Sequence, residues 1–289
     1  MKAVYEIGDL PTLPPEVKLG VVGHPIAHSL SPAMQQAALD AAGLPYAYIR
    51  LLCGLEQGAF GEMVAAAQQA GFLGLNVTVP FKKQAFALAD EADALSRLCG
   101  AANTLVLREG RVCCHNTDGP GFERAVRELC GRPLSELRIL LLGACGGAGS
   151  AVAAQCVLSG CPKLTLVNRP RPELAQLAEQ LGEHGAVQAL SLYAPELPEA
   201  VAQADLVVNA TSLGLRAEDA LPLSPELLRA GQAVYDLITH PTPLLRAAAE
   251  RGCMVSGGQS MLLWQGAYAF EHWFGCMPAV EPMRQALGK

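Results

Sequence analysis

Charge is what this chain has least of. Only 17% of its 289 residues are Asp, Glu, Lys or Arg, against roughly 25% in an average globular protein. With 51% hydrophobic residues, most of the chain can be buried and disorder is excluded. No block of like charges is present, and 21 Lys and Arg against 27 Asp and Glu leave a net charge of -6. A nucleic-acid or anionic-membrane partner is therefore not expected. No Cys-x-x-Cys pair occurs among the ten cysteines, and Cys113 and Cys114 are adjacent in a strand-like stretch. This usage suits a reduced compartment, with no metal site expected. The first residues carry Glu6 and Asp9 and are broken by Gly8, Pro11, Pro14 and Pro15. They lack the apolar core of a signal peptide, so a cytoplasmic location is expected. Residues 139–161 carry no formal charge and match the ~20-residue length of a membrane span. Gly143, Gly146, Gly147 and Gly149 interrupt them, as befits a buried strand ending in a glycine turn.

What the chain does have is rhythm. Apolar runs at 19–23, 47–52 and 74–79 alternate with alanine-rich amphipathic stretches at 33–42, 58–70 and 83–88. A second series predicts strands at 139–142, 164–167, 206–209 and 234–237, with helices at 150–159 and 173–181. Each crossover helix must bury its apolar stripe on a sheet face, so the pattern predicts an α/β fold with largely parallel sheets. At ~100 to 200 residues per domain, the length suggests two domains. One boundary falls at the Asn-Thr-Asp-Gly turn of 117–121 and a second near Cys253. The final apolar helix, 261–274, follows Gly257 and Gly258 and has no strand after it; packed back onto the first domain, it makes that domain discontinuous.

Several segments can carry chemistry. LLLGACGGAGSAV follows a predicted strand and opens a helix, where backbone N–H groups and the helix dipole can receive a pyrophosphate. Counted from Gly143, the second glycine of a G-x-G-x-x-G pattern falls on Cys145, as though one residue were inserted. A tight turn without a ligand is the alternative reading. The next strand ends in Asn168-Arg169-Pro170-Arg171, where an NAD site usually places an acid for the ribose 2'-hydroxyl. Arg169 and Arg171 can instead pair with a 2'-phosphate, or stand as solvated loop arginines. Lys82, in GLNVTVPFKKQ, is either a surface lysine or a partly desolvated proton donor and base. Asp118 can cap the helix that follows it. Ser29 and Ser31, ahead of Pro32, either grip both oxygens of a carboxylate from an extended segment, or leave Ser31 as a helix cap. His28 reads as a hydrogen-bonded structural histidine.

Together and in order, GHPIAHSLSP, GLNVTVPFK, GAANTL, NTDGPG, GACGGAG, NRPRPEL, NATSLG, YDL and MLLWQGAYAFEHWFG resemble the shikimate dehydrogenase family over nearly the whole chain. The most specific element is the asparagine-valine-threonine to proline-phenylalanine-lysine run, 21 residues ahead of Asn103. The resemblance implies a substrate domain of residues 1–117 plus 254–289 and a Rossmann-like dinucleotide-binding domain of 118–253. It implies an NADP- or NAD-dependent oxidoreductase that interconverts 3-dehydroshikimate and shikimate, with a quinate dehydrogenase and a catalytically silent binding relative as alternatives. Its partners are then a ring hydroxy acid and a dinucleotide, and the chain is a monomer or homodimer. Lys82 matches the catalytic lysine and Asp118 its dyad partner. Ser29 and Ser31 match the carboxylate-binding serines, and Thr78 lines the same pocket. Asn103, Asp118 and Gln265 match the groups that hold ring hydroxyls. Gly143, Ala144, Cys145, Gly146, Gly147 and Ala148 match the pyrophosphate loop, Asn168 and Arg169 the adenosine-ribose contacts, Thr211 a further cofactor loop, and Leu237 and Gly258 the nicotinamide surroundings. Departures are Thr239 where the family has a substrate-binding tyrosine, Pro170 in place of a threonine, Trp264 where a small residue is common, and Gln35-Gln36 in place of a His-Asn pair.

Overall fold

The computed structural model describes residues 2–216 and 218–288. Two compact units divide it, one holding the residues up to Thr117 and those from Gln265 onward, the other Asp118–Trp264.

In the first unit the chain runs β1 (Val17–Gly23), α1 (Ser31–Ala41), β2 (Ala47–Leu52), α2 (Ala59–Gln69), β3 (Gly74–Val77), α3 (Lys82–Ala87), β4 (Glu91–Ala92), α4 (Ala94–Cys99), β5 (Thr104–Arg108) and β6 (Arg111–His115). The sheet order is β2-β1-β3-β5-β6-β4. β1 pairs in parallel with β2 and β3, whereas β5 is antiparallel to both β3 and β6. The expected parallel rhythm stops there because β5 and β6 form a hairpin. Glu109 and Gly110 at its tip both have positive φ, 52° and 74°, the backbone twist that a two-residue hairpin turn demands.

One sheet face is apolar throughout. Phe60, Met63, Val64 and Ala67 of α2 recur at helical spacing and cover Leu51, Leu75, Val77 and Leu105, and Phe60 stacks on Phe81 with ring centroids 5.1 Å apart. Each large side chain buried in this way contributes about 1.5–3 kcal/mol. The opposite face carries Asn76, Thr104 and His115 in lateral register, with Gly74 two residues before Asn76 on β3. Here Gly74 leaves room for the Trp273 indole, whose Nε1 donates to the Leu105 carbonyl at 3.0 Å.

The second unit contains α5 (Asp118–Cys130), β7 (Arg138–Leu142), α6 (Gly147–Leu158), β8 (Lys163–Asn168), α7 (Pro172–Gly182), β9 (Val187–Ser191), α8 (Leu197–Gln203), β10 (Leu206–Asn209), β11 (Ala233–Asp236), α9 (Pro243–Glu250) and β12 (Met254–Ser256). Its six strands lie in the order β12-β11-β10-β7-β8-β9, and every pair is parallel. This is the doubly wound arrangement whose order reverses between β7 and β10. The boundary expected near Cys253 moves to 264/265. β12 pairs with β11, and the Met261 amide donates to the Tyr235 hydroxyl at 3.2 Å, so 254–264 belong with the second unit. The chain returns to the first unit within α10 (Gln259–Phe274) and ends in α11 (Val280–Leu287), a helix the sequence pattern did not predict. No helix among the described residues is long and apolar enough to cross a membrane.

A Cβ at Gly74 would collide with the Trp273 indole and lie 2.6 Å from the Leu105 carbonyl oxygen. Overpacking of this kind costs about 1–3 kcal/mol. Gly74→Ala is therefore expected to lower the urea midpoint by that amount of stability; an unchanged midpoint would show that Trp273 moves aside freely.

Candidate active site and dinucleotide cradle

Parallel strands release their side chains and loops at their carboxyl ends, where ligands of open α/β sheets bind. In the first unit, the loop after β1 carries Ser29 and Ser31, and the loop after β3 carries Thr78 and Lys82. The two loops are held edge to edge. Thr78 N donates to the Val22 carbonyl at 2.9 Å, and His24 N to that of Val79 at 3.0 Å. Gly23 is in contact range of the Thr78 methyl, so a side chain there would drive the loops apart.

Ser31 is the first residue of α1, but the cap position is Leu30 and no side chain caps the helix. The capping reading of Ser31 is thus not realised. Its backbone N–H instead meets Ser29 Oγ at 3.3 Å, which brings the two serines together, while the Ser29 carbonyl is clamped by Arg50 Nη2 at 2.8 Å. His28 is exposed and makes no side-chain hydrogen bond among the described residues, contrary to its expected structural role. His24 takes that role, with Nδ1 2.9 Å from the Cys53 carbonyl. Lys82 is half-buried and opens α3; its carbonyl accepts from Ala102 N at 2.9 Å, tying it to the segment that carries Asn103.

Asn103 and Gln265 are brought together. Both are buried, at 3% and 8% exposure, and Asn103 Nδ2 donates to Gln265 Oε1 at 3.4 Å. Asn103 Oδ1 accepts the Thr117 amide at 2.7 Å and the Thr117 hydroxyl at 3.1 Å. Three polar residues the sequence reading missed, Tyr48, Asn76 and Thr104, lie buried beneath them. The signal was there: a polar residue inside an apolar run must find a partner, and Asn76 stands between Leu75 and Val77. Asp118 begins α5 in the second unit and is 6% exposed.

In the second unit, three glycines build the turn between β7 and α6. Gly143 has φ +81°, and a Cβ on it would lie 2.8 Å from Thr211 Cγ2 and 2.9 Å from the Ala210 carbonyl. It therefore turns the chain at the switch point, in contact with the loop after β10. Gly146 caps α6, and with Gly147 it is exposed. A Cβ on Gly149 would collide with the Gly143 oxygen and lie 3.1 Å from Ala144 Cα. Turn, close approach and helix packing thus fall on Gly143, Gly146 and Gly149, and the extra residue is absorbed within the turn. Cys145 and Ala148 are half-buried there, while Ala144 has no exposed surface, so it supports the loop from behind and does not line it.

Asn168 ends β8, and its Oδ1 accepts the Arg169 amide at 2.9 Å. The two arginines separate: Arg171 pairs with Glu173 at 3.2 Å, whereas the exposed Arg169 makes no side-chain ion pair or hydrogen bond among the described residues. Leu237 and Gly258 are in contact, since a Cβ on Gly258 would lie 2.6 Å from the Leu237 carbonyl carbon. Thr239 follows two residues after Leu237 and is half-buried. Beneath these loops Asp236 accepts Asn209 Nδ2 at 3.1 Å, the Thr242 hydroxyl at 2.8 Å and the Ile238 amide at 3.1 Å. Burial pushes its carboxyl above the usual range despite these donors. Asn209 Oδ1 in turn receives the Thr211 hydroxyl at 2.7 Å.

A doubly wound parallel sheet with a glycine turn at its switch point is the arrangement of dinucleotide-binding domains, and the other αβ unit gathers buried polar side chains at Asn76, Asn103, Thr104 and Gln265; the two together define the class of two-domain α/β proteins with a dinucleotide-binding domain. The family models for the shikimate dehydrogenase substrate-binding domain, for shikimate/quinate 5-dehydrogenase and for the shikimate 5'-dehydrogenase C-terminal domain match residues 21–105, 125–215 and 258–287. The shikimate dehydrogenase (NADP(+)) of Rubrobacter xylanophilus is 42% identical over 274 residues, 93% of this chain and 94% of the relative. The crystal structure of shikimate 5-dehydrogenase from Thermus thermophilus in complex with NADP(H) and shikimate is 37% identical with a TM-score of 0.83, covering 94% of this chain and 98% of that one. Quinate dehydrogenase from Corynebacterium glutamicum in complex with NAD is 32% identical with a TM-score of 0.84, over 94% of this chain and 98% of that one. The chain belongs to the shikimate dehydrogenase family.

Two expectations follow. If Ser29 and Ser31 grip a carboxylate, replacing either with Ala weakens ring-acid binding by about 1–3 kcal/mol, the range for hydrogen bonds to charged groups. Dinucleotide affinity stays constant, and an unchanged KM in both variants removes the serines from the site. Arg169→Ala is expected to erode NADP use more than NAD use, the wild type preferring either by no more than about tenfold, 1.4 kcal/mol. Titrating both cofactors against both proteins decides this, and equal losses would show that Arg169 does not read the 2'-phosphate.

Proposed function

We propose that this chain is a shikimate dehydrogenase, catalysing 3-dehydroshikimate + NAD(P)H + H+ ⇌ shikimate + NAD(P)+. The observation that carries the reading is the gathering of Ser29, Ser31, Thr78, Lys82 and Asn103 at the carboxyl edge of the first sheet's parallel strands, with Gln265 against Asn103. That set offers hydroxyls to a carboxylate, amides to ring hydroxyls and an ammonium to an alcohol oxygen.

When bound, the dinucleotide supplies or takes the hydride. The residues present suit it: the exposed N–H groups at the start of α6 meet a diphosphate, Arg169 can meet a 2'-phosphate, and Leu237 with Gly258 offers a close-packed surface for a flat ring. Lys82 gives its proton to the carbonyl oxygen as the C–O bond gains charge, or takes it back in the reverse direction. Asp118 matches the carboxylate that partners this lysine in the family's catalytic dyad, and its proposed role is to orient the ammonium. Ser29 and Ser31 fix the acid at its carboxylate end, and Thr78, Asn103 and Gln265 set the face of the ring. Thr239 stands where the family has a substrate-binding tyrosine, so on this reading that contact is missing or replaced by water. All ten cysteines are free thiols, which supports a reducing, cytoplasmic setting, and a monomer or homodimer suffices for the site.

Parallel assays of shikimate and quinate with NADP and with NAD test the reading, and faster turnover of quinate would move the chain to its quinate-oxidising relatives. Lys82→Ala is expected to lower kcat by at least ~10²-fold, the low end for a general acid-base group, with little change in KM. Asp118→Asn is also expected to be slow; near-normal turnover would remove Asp118 from the dyad.

A further inference from the structure

Five hydrogen bonds in the first unit run in a single direction. The Asn76 amide nitrogen lies 3.3 Å from the Asn103 backbone carbonyl, which can only accept, so the orientation of Asn76 is fixed and its Oδ1 must face Tyr48. The Tyr48 hydroxyl therefore donates to Asn76 Oδ1, at 2.7 Å. Asn76 Nδ2 donates to Thr104 Oγ1 at 3.1 Å. Having accepted that hydrogen bond, the Thr104 hydroxyl keeps its own proton to give, to Thr117 Oγ1 at 3.2 Å or directly to Asn103 Oδ1 at 3.3 Å, and both routes lead to Asn103 Oδ1. Thr117 passes its own to Asn103 Oδ1 at 3.1 Å, and Asn103 Nδ2 donates to Gln265 Oε1 at 3.4 Å. Tyr48 is 4% exposed, and burial holds its phenol protonated. Its ring crosses β1, since β2 and β3 lie on either side of that strand.

We propose that Tyr48 is a positioning residue for the ring-acid site: it starts a one-way hydrogen-bond chain that restrains and polarises the amides of Asn103 and Gln265. The proposal rests on the reading of those two residues as ring-hydroxyl ligands. Each bond in a directed chain strengthens the next, because a hydroxyl that accepts a hydrogen bond becomes a better donor. At the far end the Asn103 amide becomes a stronger, better-aimed donor than an isolated asparagine. Tyr48 touches no ligand in this scheme and acts only through the chain.

The test uses the full-length protein with its asparagines labelled for NMR. In the wild type, the Asn103 side-chain amide is expected to exchange its protons slowly. Tyr48→Phe keeps the ring and removes the first donor, and Thr104→Val breaks the middle. Both are expected to speed that exchange at least tenfold and to weaken shikimate binding about tenfold, leaving NADP binding and kcat within twofold. Thr104→Ser, which keeps the hydroxyl, restores both readouts, and the double variant Tyr48→Phe/Thr104→Val is no worse than the weaker single one because both cut one chain. Unchanged Asn103 exchange in Tyr48→Phe, or no rescue by Thr104→Ser, overturns the proposal. Faster amide exchange in a protein whose wild type binds neither shikimate nor quinate would uphold the chain and sink the functional reading instead.

Discussion

A polar atom taken out of water must find a partner or cost the fold about 1–3 kcal/mol, and both units of this chain are arranged around that constraint. In the first, Asn76 and Thr104 occupy adjacent strands on a face otherwise built for packing, and each is satisfied sideways across the sheet. In the second, Asp236 has no exposed surface and survives there because three donors converge on it. Neither group touches the surface that a ligand would meet. Both stand one step behind residues proposed to meet ligands: Asn103 through Thr117, and Thr211 through Asn209. Apolar packing would hold the strands together equally well, but it would leave these loops without a defined orientation.

The glycines show the complementary constraint, closeness of backbone. Gly143, Gly149 and Gly258 each abut a carbonyl or Cα of another segment, so a single methyl at any of them would separate the turn from what it supports. Gly146 is different. A Cβ there would meet only the Gly143 oxygen, at 3.5 Å, so the protein itself does not demand glycine at that position. The open space at that position suits the proposed diphosphate cradle at the start of α6.

Much of this was legible in the sequence, for physical reasons that can be named. Strands 47–52 and 206–209 were read to the residue, because short, mostly apolar runs set between turn or polar signals leave little choice of bounds. The glycine loop and the paired serines were visible because φ and hydroxyl chemistry are properties of single residues. The β5–β6 hairpin was missed because Glu109-Gly110 lacks the usual Asn-Gly signal, although Glu109 adopts φ 52°. β12 was missed because three partly exposed residues carry no periodicity, and with it went the true boundary at 264/265. The chain from Tyr48 to Gln265 was invisible for a deeper reason: its members lie far apart in sequence, and only sheet pairing places them in a row.

The departures from the family pattern acquire a structural meaning in this light. Gln36 holds the Tyr46 carbonyl at 3.1 Å and receives the Tyr48 amide at 3.2 Å, so the residue that replaces an asparagine fastens α1 to the strand on which the hydrogen-bond chain begins. Gln35 is fully buried and donates to the Gly266 carbonyl at 2.9 Å, fastening α1 to the helix on which that chain ends. In the second unit, Trp264 donates to Glu128 at 2.9 Å beneath the Arg124 guanidinium, 4.6 Å from its ring. The substitutions at 35 and 36 therefore fall on contacts that fasten α1 to β2 and α10, and that at 264 on a contact within the second unit. A chain can change such supports and keep its reaction, provided that the amides and hydroxyls they carry end in the same orientation. Thr239 is of another kind. On the proposed reading it replaces a substrate-binding side chain, so the choice among ring acids is the property on which this chain has most room to differ from its relatives.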